Sequence, residues 1–194
     1  MSHIIHHTEG IILSGANVGE ADRYLTIFTK DLGLLRAKAQ GIRKLSSKLR
    51  YHVQDFSYAR INLVQGREIW RLTNATKIKS FDKATQNPYA FIIFINVTRL
   101  LERLVAGEEK NELLFLHLID TFSFLDEENL TREELKDTEL VIVFRILHHL
   151  GYLGIEKEKG IASSFIDRAL LESIRPKRKT LLSEINKSLK ETQL

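Results

Sequence analysis

Between Leu32 and Gln54 the chain carries six basic side chains: Arg36, Lys38, Arg43, Lys44, Lys48 and Arg50. No Asp or Glu occurs between Asp31 and Asp55. The chemistry available to such a stretch is neutralisation of phosphate rather than bond making. Each Lys or Arg set against a single strand releases counterions and adds roughly 0.7 to the log–log salt slope of binding. Flat side chains are at hand in the same region: Tyr24, Tyr51, Tyr58 and Trp70. A stacked base contributes roughly 1–3 kcal/mol. Tyr51, beside Arg50 in polar surroundings, is counted with the binding residues. Phe28, Phe56 and Trp70 are read as core.

Other chemistries lack their residues. The chain has no cysteine, which excludes disulfides, thiol nucleophiles and cysteine-ligated zinc. No Walker loop, Gly-x-Gly-x-x-Gly or Gly-x-Ser-x-Gly occurs. His3, His6 and His7 have no carboxylate at ligand spacing, and His148 and His149 read as the end of a helix, where the dipole favours them. No acid–base or nucleophile pair stands out, so the expectation is a protein that is not an enzyme and needs no cofactor or metal. The longest apolar run, 91–97, falls far short of the ~20 residues that span a bilayer. The reading is a soluble, cytoplasmic and nucleoid-associated protein without a membrane partner.

Charge is unevenly distributed. Residues 1–80 carry a net +7, residues 81–139 a net −7 and residues 140–194 a net +4. A basic first part beside an acidic middle points to a polyanion partner for the first part. The acidic middle is expected to lie off the binding groove.

The first 80 residues must position the basic side chains, and they read as strands and turns. Ile4 to Leu13 is β-branched and apolar, and Gly15 to Asp22 reads as a polar turn. Tyr24 to Thr29, the turn Lys30-Asp31-Leu32-Gly33 and Leu34 to Gln40 form a hairpin. In its second strand Leu35, Ala37 and Ala39 alternate with Arg36, Lys38 and Gln40, which turns the charges outward. A loop, 41–48, carries Arg43, Lys44 and Lys48. Tyr58 to Val64 and Glu68 to Ile78 flank a turn at 65–67. Five such strands fit a small closed or partly open barrel, a geometry suited to a single strand.

After Ser80 the pattern becomes helical. Asn87-Pro88 reads as a cap and first turn for Tyr89 to Val105. Asn111 to Leu125 follows, and then the capping box Thr131-Arg132-Glu133-Glu134 with a helix to His149 or Leu150, stopped by Gly151. Ser163 to Ser173 and Leu181 to Leu189 are further helices. The expected class is α+β: a barrel over 1–80 and an all-α domain over 81–194, in which 153–194 forms a divergent C-terminal part. Arg175-Pro176-Lys177-Arg178-Lys179 is a second basic cluster, read as a solvated linker or a secondary phosphate contact.

Several of these segments resemble the bacterial recombination mediator family RecO. They are Gly19-Glu20-Ala21-Asp22-Arg23-Tyr24-Leu25-Thr26-Ile27-Phe28-Thr29, then Gly33 to Lys44, and Ser47-Lys48. Thr8 to Leu13 fits the family's first strand. Tyr89, Leu100 to Leu104, Asn111 to Phe115 and Leu147 to Tyr152 fit its helical part. The resemblance implies an OB-fold followed by helices. It also implies binding of single- and double-stranded DNA, annealing of complementary strands, and help in loading RecA at gaps. The implied partners are RecR and the C-terminal tail of single-strand-binding protein, and the implied DNA contacts are Arg36, Lys38, Arg43, Lys44, Lys48 and Arg50. The four-cysteine zinc module found after this point in many members is missing. Arg168, Arg175, Lys177, Arg178 and Lys179 are candidates for an acidic peptide. The residues alone leave two alternatives open, a sequence-tolerant RNA-binding barrel and a non-catalytic interaction adaptor.

Overall fold

The computed structural model describes residues 4–105, 107–154 and 159–191. The chain forms two compact units, 1–81 with 105–112, and 82–104 with 113–194. A single cut near residue 80 therefore does not describe it. Residues 105–112, between two helices in sequence, belong to the unit of strands.

Five strands build the first unit: β1 Ile5–Val18, β2 Asp22–Thr29, β3 Gly33–Ala39, β4 Ser57–Gln65 and β5 Trp70–Ser80. They close into a barrel in the order β1-β2-β3-β5-β4, antiparallel except where β3 meets β5. Period-two alternation explains why these residues make it. In β3 Gly33, Leu35, Ala37 and Ala39 are buried, while Arg36 is exposed and Lys38 half-buried. Ile12, Leu25, Ile27, Leu35, Ile61, Leu63 and Leu72 fill the interior. Full burial of each such side chain stabilises by roughly 1.5–3 kcal/mol.

The expected polar turn from Gly15 to Asp22 is shorter than its residues suggest. β1 continues to Val18, paired with Asp22, after a register shift between Ile12 and Ser14. Ladder hydrogen bonds across the hairpin override the weak strand preference of Gly15 and Asn17. At the other end of the barrel, Gly33 adopts φ +68°. A β-carbon there would lie 2.3 Å from the Glu109 carbonyl oxygen, so the Glu109 backbone packs onto a bare backbone. Residues 108–110 are held further by Trp70 Nε1, which donates to Glu108 at 2.7 Å, and by Lys110, 3.3 Å from Asp31.

The second unit is helical: α1 Asp82–Gln86, α2 Pro88–Leu104, α3 Glu112–Glu127, α4 Arg132–His149, α5 Lys159–Ser163, α6 Arg168–Ile174 and α7 Arg178–Glu191. The Asn87 carboxamide accepts from the Tyr89 and Ala90 backbone N–H groups at 3.0 and 3.3 Å, so α2 starts where the Asn-Pro pair predicts. Thr131 and Glu134 form the reciprocal capping box of α4. Phe94 stacks on Phe122 with centroids 4.1 Å apart.

The helix expected over 163–173 starts only at Arg168, and Ser163 instead ends the separate short helix α5. Arg145, fully buried in α4, donates to the carbonyls of Ile161 (3.0 Å) and Ser164. Asp120 accepts from Arg145 at 3.3 Å and from the Ile166 N–H at 2.8 Å. These side chains take the backbone groups a continuous helix would need, and Asp167 caps a new start by accepting from Leu170 N–H at 2.7 Å. The cluster at 175–179 is likewise not a linker. It is a 3₁₀ turn, Arg175–Lys177, running into α7.

Candidate nucleic-acid interface

Strand register decides which side chains share a surface. Thr26 pairs with Arg36 and Tyr24 with Lys38 across β2 and β3, and Lys38 pairs with Arg71 across β3 and β5. Tyr24, Arg36, Lys38 and Arg71 therefore lie on one outward face. The Arg36 guanidinium sits 5.8 Å from the centroid of the Tyr24 ring. Arg71 is exposed and was missed from sequence. Its signal lies in Trp70-Arg71-Leu72, which alternates buried, exposed, buried, but its place beside Lys38 depends on a parallel pairing that local sequence does not reveal.

Lys38 is less available than its position suggests. Its ammonium lies 2.9 Å from Asp22. The Asp22 carboxyl is held below the usual carboxylate range, first by the Gly41 N–H at 2.7 Å and then by Lys38. The Lys38 ammonium is held more firmly protonated by the same contact.

The loop after β3 turns back onto the β1–β2 hairpin. Gly41 has φ +64°. The Arg43 N–H donates to the Ala21 carbonyl at 2.9 Å and its guanidinium to the Gly19 carbonyl at 3.1 Å. Ile42 is buried beneath, so the loop is anchored while Arg43, Lys44, Lys48 and Arg50 stay exposed. A short 3₁₀ turn, Lys48–Tyr51, sets Tyr51 at the surface, 63% exposed, whereas Phe28 and Trp70 are buried and Phe56 is half-buried. Tyr58 is not free to stack: its hydroxyl donates to Glu9.

Arg43 and Arg50 meet Arg23, Asn17 and Ile42 around a cleft of about 390 Å³. Arg36 and Lys38 stand on the strand face outside it, so the two sets do not share one groove there. Arg23 was also missed, because it lies before the acid-free stretch and directly after Asp22. The secondary cluster is largely engaged. Arg178 donates to Asp137 at 2.8 Å and to Glu133 at 2.6 Å, Arg175 lies 3.5 Å from Asp137, and Arg168 lies 3.2 Å from Glu128. The acidic middle does not lie wholly apart either, since Glu108 and Glu109 belong to the barrel unit. Glu109 packs on Gly33, while Glu108 accepts from the indole of Trp70, the neighbour of Arg71 in β5. Among the described residues no group of side chains could hold a metal ion, and no helix is long and apolar enough to cross a membrane. His3 lies outside the described residues.

A closed five-stranded barrel with β1 paired to both β2 and β4, and β3 parallel to β5, is an OB-fold, here followed by helices. Residues 1–81 match the family model described as recombination protein O N terminal, and the chain resembles the RecO family of DNA repair proteins. Relatives described as DNA repair protein RecO include that of Dehalococcoides mccartyi (strain ATCC BAA-2266 / KCTC 15142 / 195), 34% identical over 128 residues, or 66% of this chain and 50% of the relative. That of Roseiflexus sp. (strain RS-1) is 31% identical over 148 residues, covering 76% and 50%. That of Pelotomaculum thermopropionicum is 30% identical over 158 residues, covering 77% and 62%. The chain thus matches about half to three-fifths of the length of these relatives.

Proposed function

We propose that the chain is a RecO-like recombination mediator whose barrel binds single- and double-stranded DNA through the outward face of β2, β3 and β5 and the loop 41–51. One observation carries this reading. Arg36, Arg43, Lys44, Lys48 and Arg50 are all exposed and form no ion pair among the described residues, whereas Arg23, Lys30, Lys38 and Arg60 in the same barrel each face a carboxylate. Cations left without an ion pair on one strand and its adjoining loop suit a polyanion.

The proposed work involves no bond making. Phosphates neutralised along the loop let two strands approach with less repulsion and pair. In this reading the protein anneals complementary strands, associates with the nucleoid, and helps load RecA at gaps together with RecR and the C-terminal tail of single-strand-binding protein. The test replaces Arg43, Lys44 and Lys48 together by Ala in the full chain and follows single-strand binding and annealing across salt. The expected result is a strong loss of affinity and a salt slope shallower by roughly 2. Unchanged affinity at moderate salt would remove the loop from the interface. Equal-length DNA and RNA in competition decide the class of strand, and preference for RNA would replace the repair reading by an RNA-binding one.

A further inference from the structure

The cleft between the β1–β2 hairpin and the 41–51 loop has features that a sequence-independent strand track does not require. Three arginines line it, Arg23, Arg43 and Arg50, together with Asn17 and the buried Ile42. Their residues come from three separate parts of the chain, β1, β2 and the loop. Asp55 is the carboxylate in contact, and it faces Arg23 at 3.0 Å. The Arg43 guanidinium donates to the neutral Gly19 carbonyl, and neither it nor Arg50 has an ion pair among the described residues. The group keeps two positive charges in excess.

We infer that this cleft holds a phosphomonoester group. The inference rests on the reading of the barrel as a nucleic-acid-binding surface and gives it a second, distinct subsite. Planar guanidinium forks match phosphate oxygens in pairs, which a lone ammonium does not. A phosphodiester inside a strand carries one negative charge, whereas a phosphomonoester carries about −1.5 to −2 at neutral pH. The dianion matches the excess of two positive charges. A cleft of about 390 Å³ lies in the range of small-ligand pockets and has room for the sugar as well as the phosphate. Two sources offer this chemistry, the end of a strand and a free nucleotide.

The experiment measures binding of the full chain to equal-length single strands that carry a 5′-phosphate, a 3′-phosphate or only hydroxyl ends, at fixed salt. A thermal-shift arm uses thymidine 5′-monophosphate against thymidine. A phosphorylated strand is expected to bind about tenfold tighter than the hydroxyl-ended one, the ratio set by a charge-assisted hydrogen bond. Arg50→Gln or Arg43→Gln should bring that ratio to about one, while Lys48→Gln lowers both affinities and keeps the ratio. Stabilisation by the mononucleotide with no preference among the strands assigns the cleft to a free nucleotide, which is still a phosphomonoester. Equal affinity for all three strands without stabilisation by the mononucleotide overturns the inference and leaves the general DNA-binding reading standing. Failure of every strand and of the mononucleotide to bind overturns both.

Discussion

The Arg23 guanidinium crosses Gly15 so closely that a β-carbon there would stand 2.3 Å from Nη2 and 2.7 Å from Cζ. The same Nη2 donates to the Gly15 carbonyl at 3.1 Å and to Asp55 at 3.0 Å. Alanine in a strand is ordinarily better than glycine by roughly 0.5–1 kcal/mol. Here the sign reverses, because the methyl group pushes Arg23 from both partners. Gly15→Ala is expected to lower stability by roughly 1 kcal/mol in a denaturant titration. In an Arg23→Ala background the same change should become stabilising, and a double-mutant cycle reads the difference. Additive effects would mean that the two residues are not coupled.

Asp22 tempers the interface that Lys38 would otherwise offer. It accepts from the Gly41 N–H and faces the Lys38 ammonium. Asp22→Asn keeps an oxygen for Gly41 while removing the charge. Lys38 is then free for a phosphate, and the log–log salt slope on single strands should steepen by roughly 0.7. Affinity at low salt should rise several-fold. Fluorescence anisotropy across salt checks this, and weaker binding by the variant would show that Asp22 serves chiefly to hold the loop.

The binding face was legible in sequence to the extent that its physics is local. The alternation of Leu35, Ala37 and Ala39 with Arg36 and Lys38 follows from the pleat alone, and the capping box at Thr131 follows from short-range hydrogen bonding. Arg23 and Arg71 were not legible, because each joins the others through tertiary pairing: Arg71 beside Lys38 across the parallel β3–β5 contact, and Arg23 through the folded-back loop. The late start of α6 at Arg168, in place of a helix from Ser163, was hidden for the same reason. It depends on Arg145 and Asp120, both remote in sequence, reaching its backbone. The place of Glu108 and Glu109 on the barrel likewise follows from the bare Gly33 backbone, which composition does not announce.

Trp70 is the chain's single tryptophan, 4% exposed, and its indole donates to Glu108. Removing the carboxylate leaves a buried N–H without its partner, a loss of roughly 1–3 kcal/mol. Glu108→Ala should therefore destabilise the barrel unit by about that amount and alter the tryptophan emission. Glu108→Gln, which keeps an acceptor, should recover most of the loss. Emission and denaturation midpoints identical to the parent in both variants would show that the segment 105–112 contributes nothing to holding the barrel.

The helical unit is expected to be acid-sensitive through His117. Its ring stacks on His149 at 5.1 Å, and the folded environment holds its pKa down at about 4. Burial is the main cause, followed by the charges of Arg145 and His149, while the Ala162 carbonyl opposes the shift. His149 is lowered too, again chiefly by burial. In the unfolded chain an imidazole protonates near 6.5. Between about pH 6.5 and 4 the unfolded state therefore binds more protons, so stability is flat above that window and falls as pH drops through it. The loss from His117 is at most roughly 3 kcal/mol. Asp120, whose carboxyl is raised by burial, works the other way and offsets part of the loss as it protonates at the acid end. His117→Leu cannot take up the proton, so urea titrations from pH 7 to 4 should show a shallower decline for the variant than for the parent, whatever its stability at pH 7. Parallel declines would place the acid-sensitive group elsewhere.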